Sequence, residues 1–297
     1  MSWLTDFVKP RIQRFVKREA PENLWQKCSA CEQMLFNRDL QENLYVCKHC
    51  GHHLKFPLKE RVSHLFDGGD YTRLSWGSVL SDPLHFRDSK KYADRLKEAK
   101  SKTGEEDAII LARGTLGGRL IIVACFNFDF IGGSMGMAVG EALVRGAEAA
   151  LEDRAPFIVI PASGGARMQE GIFSLMQMPR SVIAISRLKE NGVPYVTILT
   201  NPTTGGVSAS FAALGDLAIG EPGAIIGFTG ARVIQEILRT SLPPGFQSAE
   251  FQMDHGMIDM VVHRHDLRDK LNLLCTLLMG PKRLAAQKEV RTLPFKK

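Results

Sequence analysis

From about residue 108 onward, short β-branched apolar runs alternate with longer stretches in which apolar residues recur at helical spacing, the pattern of an α/β protein. Residues 108–126 predict two strands turning at Gly117-Gly118. Gly132-Gly133-Ser134-Met135-Gly136 then opens an apolar helix running to about Asp153, with Ser134 suited to its N-cap. Residues 156–161 read as a buried strand. After them Ile172, Leu175, Met176, Val182, Ile183, Ile185 and Leu188 follow a helical period that Pro179 should kink or split. A second buried strand at 195–200 leads through Asn201-Pro202-Thr203-Thr204 to Gly205-Gly206 and a helix of small residues. Further short strands are expected at 216–219, 224–228 and 258–263, and helices at 232–239 and 266–279. Met168, Met176 and Met178 read as core or interface filler, and Cys125 and Cys275 as buried thiols. Residues 58–107 form a polar, helical connecting segment with turns at Gly68-Gly69-Asp70 and Ser81-Asp82-Pro83.

Two of these strand-to-helix junctions carry paired glycines. In Ser163-Gly164-Gly165-Ala166-Arg167-Met168-Gln169-Glu170-Gly171, the glycines leave backbone N–H groups in a concave turn with no Cβ in the way. Such a turn accepts an anion, or a carbonyl oxygen becoming one. Taken singly it is more commonly a tight connection. Its repetition about forty residues later, at Gly205-Gly206, is what gives it functional weight. Other usual side-chain catalysts are missing: there is no His-Glu-x-x-His and no Gly-x4-Gly-Lys-Ser/Thr loop. Ser163 has no neighbouring His, and Glu141 or Glu170 serves as an acid or base only if the fold places it so. Backbone donors aimed at a carbonyl oxygen stabilise developing charge by about 3 kcal/mol each, which suits reactions through a thioester enolate.

Charge and cysteine usage add a second unit and a set of partners. Cys28-x2-Cys31 and Cys47-x2-Cys50, fifteen residues apart, have the spacing of a four-thiolate zinc ribbon over 25–57. With all four positions filled by protein, one zinc ion there is structural. His49, His52 and His53 read as neighbours rather than ligands. A competing use of the ribbon, with Lys48, Lys55, Lys59 and Arg61, is nucleic-acid binding. The net charge of +6 is concentrated at the ends. Residues 1–60 hold ten Lys/Arg against seven Asp/Glu, and 282–297 six against one, which fits anionic partners or phosphorylated ligands without choosing among them. Residues 1–24 form a basic arm, interrupted by Pro10, and 281–297 a basic tail. Arg87, Lys90, Lys91 and Arg95 lie on a basic helical stretch that reads either as a solvated face or as a clamp for phosphates. No apolar run is long enough to span a membrane and no secretory signal stands at the N-terminus, so a cytoplasmic location is expected.

Ser-Gly-Gly-Ala-Arg-Met-Gln-Glu at 163–170, Asn-Pro-Thr-Thr-Gly-Gly-Val-Ser-Ala-Ser at 201–210 and the Cys-x2-Cys pair resemble the β subunits of bacterial acetyl-CoA carboxylase carboxyltransferase. Phe86-Arg87-Asp88-Ser89-Lys90-Lys91-Tyr92, Gly132-Gly133-Ser134-Met135-Gly136 and Leu242-Pro243-Pro244-Gly245-Phe246 extend the resemblance, which runs from about Trp25 to Met279. It implies a crotonase-like (ClpP/crotonase) ββα superhelix over 108–280, preceded by the four-Cys ribbon. It also implies transfer of a carboxyl group from carboxybiotin, borne by a carrier protein, to acetyl-CoA, giving malonyl-CoA for fatty-acid synthesis. In that mechanism carboxybiotin releases CO2, the biotin anion removes the acetyl proton and the enolate captures CO2, so no side-chain base is required. Gly164, Gly165, Gly205 and Gly206 would then supply the thioester oxygen hole, while Arg87, Lys90, Lys91 and Arg95 are a separate proposal for the CoA phosphates. The implied partners are a carboxyltransferase α subunit in an α2β2 assembly, the biotin carboxyl carrier protein and biotin carboxylase. The competing readings are a stand-alone crotonase-type hydratase or isomerase and a zinc-ribbon nucleic-acid binder.

Overall fold

The computed structural model describes residues 24–239 and 241–280; apart from Leu24, the basic arm and the basic tail lie outside them. The ribbon pairs β1 (Trp25–Lys27) antiparallel with β2 (Met34–Phe36) and continues into α1 (Asn37–Glu42). Next come α2 (Leu58–Leu65), β3 (Tyr71–Leu74) and α3 (Tyr92–Thr103), then the hairpin β4 (Ile109–Leu116) and β5 (Arg119–Phe126). It turns where expected, with both glycines at positive φ, +55° and +70°, as a two-residue turn matched to strand twist requires. The chain proceeds through α4 (Met137–Asp153), β6 (Phe157–Ile160), α5 (Gly171–Leu175), α6 (Gln177–Glu190), β7 (Tyr195–Leu199), β8 (Thr203–Thr204) and α7 (Gly205–Ser208). It ends with β9 (Leu217–Gly220), β10 (Ile226–Gly227), α8 (Ala231–Leu238), α9 (Ala249–Asp254), β11 (Met260–Val261) and α10 (Arg264–Met279).

Seven strands form one mixed sheet in the order β11-β9-β7-β6-β5-β4-β3. The β3–β4 and β4–β5 pairs are antiparallel and the rest parallel. Both faces are covered, which is why these strands read as continuous apolar runs rather than alternating ones. Ile109, Leu111, Ile122, Ala124, Phe157 and Val159 pack toward α4 and α6. Ile110, Ala112, Val123, Ile158, Val196 and Ile198 pack toward α2 and α10. Because β5, β6, β7 and β9 run parallel, the loops that follow them gather at one edge of the sheet. In open α/β sheets that edge is where ligands bind.

The structure departs from the sequence reading in several places. Tyr71–Leu74 is an edge strand inside the stretch read as helical, because its pairing with β4 outweighs a polar pattern. The helix is split, as Pro179 suggested, but the break falls earlier, at Met176, and Pro179 occupies the first turn of α6, where no N–H is needed. The expected strands at 224–228 and 258–263 shrink to two residues each. Ser134 is not the cap of α4, which begins at Met137 and has its first N–H satisfied from another loop.

The ribbon is fixed to the core by a buried ionic clamp. Glu221, at the end of β9, accepts from Arg61 Nη1 (2.7 Å) and Nη2 (3.2 Å), and from Arg264 Nε (3.0 Å) and Nη2 (2.7 Å). Arg264 Nη1 donates to three carbonyl oxygens of the ribbon region, those of Leu44, Tyr45 and Leu54. Both guanidinium groups lie 5.0 Å from the centroid of Phe56. Burial opposes charge on Glu221, but the two arginines prevail and hold its carboxyl well below the ordinary range.

Candidate functional site

The two glycine turns meet. Ser163 N–H donates to Pro202 O (2.7 Å) and Thr204 N–H to Ser163 O (3.0 Å), so the loops after β6 and β7 run side by side. At Gly165 (φ +119°) a Cβ would stand 3.2 Å from Gly205 Cα, and at Gly205 (φ +63°) one would stand 3.0 Å from Gly165 Cα. Only glycine satisfies both the dihedrals and the contact. Of the four candidate donors, three are engaged: Gly164 N–H with Gly132 O (3.0 Å), Gly165 N–H with Ser163 Oγ (3.0 Å) and Gly205 N–H with Phe228 O (2.9 Å). Among the described residues, Gly206 N–H makes no such bond, and neither does Ala166 N–H. Gly206 lies in the first turn of α7, where helix geometry leaves an N–H without an intrahelical acceptor. Ala166 N is 3.7 Å from where a Gly206 Cβ would be, so the two unengaged donors are neighbours.

Beneath the turns lies a buried polar network that the spacing of the motif did not reveal. Arg167, fully buried, donates to both carboxylate oxygens of Asp107 (2.6 and 3.0 Å), to Ser134 O (2.8 Å) and Oγ (3.1 Å), to Tyr92 Oη (3.1 Å) and to Glu170 Oε1 (3.3 Å). Glu170 also accepts from Tyr92 Oη (2.5 Å) and, through Oε2, from Met137 N–H (2.6 Å), which caps α4. Burial works against charge on Arg167, yet Asp107 beside it raises its affinity for the proton. Burial, with the Glu170 charge adding to it, likewise raises the pKa of Tyr92 and keeps the phenol neutral. Glu170 is thus an anchor with its oxygens occupied. Glu141 pairs with Arg145 and Arg180. Neither glutamate is placed as an acid or base.

In the ribbon, the Sγ atoms of Cys28, Cys31, Cys47 and Cys50 all lie within 4.8 Å of one another. Cys28 to Cys50 is 3.8 Å and Cys31 to Cys47 3.7 Å. A tetrahedron of zinc–sulfur bonds of about 2.3 Å has edges of about 3.8 Å, so two edges already match that ion and the other pairs, all within 4.8 Å, are close to it. The four thiols leave no open coordination position, and the ion's contribution there is to the fold.

The chain matches the model described as Carboxyl transferase domain over residues 77–271 and that described as Acetyl-CoA carboxylase zinc finger domain over 25–50. A Sinorhizobium fredii protein named acetyl-coenzyme A carboxylase carboxyl transferase subunit beta is 51% identical over 290 residues, 97% of this chain and 95% of its own. The chain belongs to this β-subunit family. A Rhodopseudomonas palustris family member is 52% identical over 278 residues, covering 94% of this chain and 86% of its own. Among solved structures, transcarboxylase 12S with methylmalonyl-coenzyme A bound superposes with a TM-score of 0.58 at 28% identity, over 75% of this chain and 41% of that one. A Pseudomonas malonate decarboxylase hetero-dimer gives a TM-score of 0.59 at 21% identity, over 75% of this chain and 86% of that one, and shares the fold. The ribbon is expected to hold one zinc per chain. Elemental analysis checks this, and a value near zero in protein purified without chelator contradicts it. Stripping the metal should unfold the ribbon, seen as proteolysis between residues 25 and 57, while the sheet persists.

The basic cluster flanks the start of α3, where Tyr92 bonds to Arg167 and Glu170. Lys90 pairs with Glu98, and Arg95 Nη2 with Asp88 (2.5 Å), whereas Arg87 and Lys91 are exposed. Met168 and Met176 are not core: they are exposed, with Ile172, Phe173 and Leu175, on an apolar face beside the glycine turns. Met178 is partly buried, and its sulfur would lie 3.1 Å from a Cβ at Gly206. No helix among the described residues is long and apolar enough to cross a membrane. Tyr92 and Asp107 were missed because single polar residues far apart in sequence give no periodic signal. A buried-side-chain reading of Arg167, beside three small residues, was the available clue.

Proposed function

We propose that this chain is the thioester-binding half of a carboxyltransferase that moves a carboxyl group from carboxybiotin to acetyl-CoA, giving malonyl-CoA. The observation that carries the reading is the pair of adjoining glycine turns, with Gly206 N–H and Ala166 N–H left as donors. The acetyl thioester oxygen accepts from these two groups. Carboxybiotin gives up CO2, the biotin anion takes an α-proton from the acetyl methyl, and the charge that moves onto the thioester oxygen is held by the two N–H groups until the enolate carbon bonds to CO2. Each aligned donor is worth about 3 kcal/mol in the transition state. With Glu170 and Glu141 occupied elsewhere, the proton goes to biotin and not to a side chain of this chain.

The site is open on one side. Met168 (64% exposed) and Ile172 (59% exposed) belong to the apolar face flanking the turns, and a second subunit, the α chain of an α2β2 assembly, covers it and supplies the biotin side. The biotin carboxyl carrier protein and biotin carboxylase complete the system. Purification of the tagged chain from its native cells should bring down one carboxyltransferase α chain in equal amount and a biotinylated protein in smaller amount. Recovery of the chain alone would contradict the assembly.

A further inference from the structure

Beside the two unengaged donors the space is narrow. A carbon added as a Cβ on Gly206 would stand 3.1 Å from Met178 Sδ, 3.5 Å from Ala166 Cβ and 3.7 Å from Ala166 N. Ordinary contacts between carbon atoms are about 3.5–4.0 Å, so the gap ends just short of one methyl group, and Met178 is what ends it. Its surroundings hold Met178 there. It lies in the first turn of α6, between Gln177 and Pro179. The Gln177 carboxamide fills the notch left open at Gly140, donates to Phe173 O (2.7 Å) and accepts from Arg180 Nη1 (2.8 Å). Met178 O accepts from Ser181 Oγ (2.8 Å), and the side chain, partly buried, packs against the core that contains Val139, Leu143 and Val207.

We propose that Met178 sets the acyl specificity of this carboxyltransferase: its thioether closes the space beside the reacting α-carbon, so that acetyl-CoA fits and an α-alkylated thioester such as propionyl-CoA is held back. The inference rests on the thioester reading above. The α-carbon stands two bonds from the thioester oxygen and becomes planar in the enolate. Its two remaining substituents then lie in the thioester plane, one on the side of the oxygen and one on the side of the sulfur. Acetyl-CoA carries only hydrogen at both. Propionyl-CoA carries a methyl at one of them; the sulfur side is crowded by the thioester itself, and the oxygen side faces the wall made by Met178 and Ala166. A thioether on an unbranched chain can be pushed aside, so the discrimination is graded rather than absolute. One methylene in an apolar pocket changes kcat/KM by about 10–200-fold, which sets the scale.

The test runs the reaction in reverse with the assembled αβ enzyme and free biotin, comparing malonyl-CoA with racemic methylmalonyl-CoA. In each case the thioester loses its carboxylate as CO2, the enolate takes the proton from biotin, and the biotin anion bonds to the CO2. The parent should favour malonyl-CoA in kcat/KM by tenfold or more. In Met178→Ala that ratio should fall about tenfold, with methylmalonyl-CoA turned over faster than by the parent, whereas Met178→Leu, close in volume, should keep the parental ratio. Because both substrates are measured on the same enzyme, any loss of stability cancels from the ratio. A parent that takes both substrates equally, or a Met178→Ala enzyme with the parental ratio, overturns the proposal. If malonyl-CoA is still turned over in that second case, the thioester site stands and only the role of Met178 is lost. Parental turnover of both substrates by Gly206→Val would remove the thioester site, and this inference with it.

Discussion

Replacing Gly206 with valine is expected to lower kcat of the assembled carboxyltransferase by about 10²–10³-fold, as much as losing one oxyanion contact, because the side chain keeps the thioester oxygen from the N–H groups that remain. The unfolding midpoint and the zinc content should stay close to those of the parent. Gly206 has no left-handed φ to lose, and the nearest atoms to an added Cβ are Met178 Sδ at 3.1 Å and Ala166 Cβ at 3.5 Å. A thioether at the end of a flexible side chain can give way, so the backbone keeps its course while the new methyl groups fill the place of the thioester oxygen. Gly165 and Gly205 differ. Both have positive φ, and a Cβ on either presses on the other's backbone, so substitutions there should show as lost stability. Steady-state kinetics and thermal melts of the three variants separate the cases, and near-parental turnover in Gly206→Val would remove that N–H from the site.

Arg167→Met should cost about 3–5 kcal/mol of stability, because it strips the partner from buried Asp107 and leaves Glu170 short of a donor. Equilibrium urea unfolding measures it. Lysine should not rescue: a single ammonium cannot replace a planar fork that bonds Asp107, Ser134, Tyr92 and Glu170 at once. The network joins the loop before α4, the start of α3 and the first glycine turn, so the variant's kinetic defect should follow from the loosened turn and be relieved as temperature falls. A variant of parental stability that has lost its turnover would instead put Arg167 in contact with substrate.

Much of this was legible in the chain. The β4–β5 hairpin, the strands at 157–160 and 195–199 and the cysteine ribbon each rest on local signals: consecutive β-branched residues, a glycine pair at a turn, a fixed thiol spacing. What escaped was set by distant contacts. Tyr71–Leu74 becomes a strand only because β4 offers an edge. The cap of α4 comes from Glu170, thirty-three residues away, and the clamp on the ribbon joins Arg61 to Glu221, 160 residues apart. The glycine turns were visible as candidates, but which N–H groups stay unengaged depends on Gly132 O, Ser163 Oγ and Phe228 O, positions that no spacing specifies.

The thioester site proposed for this chain is one that a second subunit completes. Its most direct test is malonyl-CoA-dependent carboxylation of free biotin, measured with the purified chain, with its α partner, and with the two mixed. Activity should appear only in the mixture, saturate at one α per β and vanish with Gly206→Val. Absence of activity in a stoichiometric complex, or turnover of an enoyl-CoA by the chain alone, would contradict it.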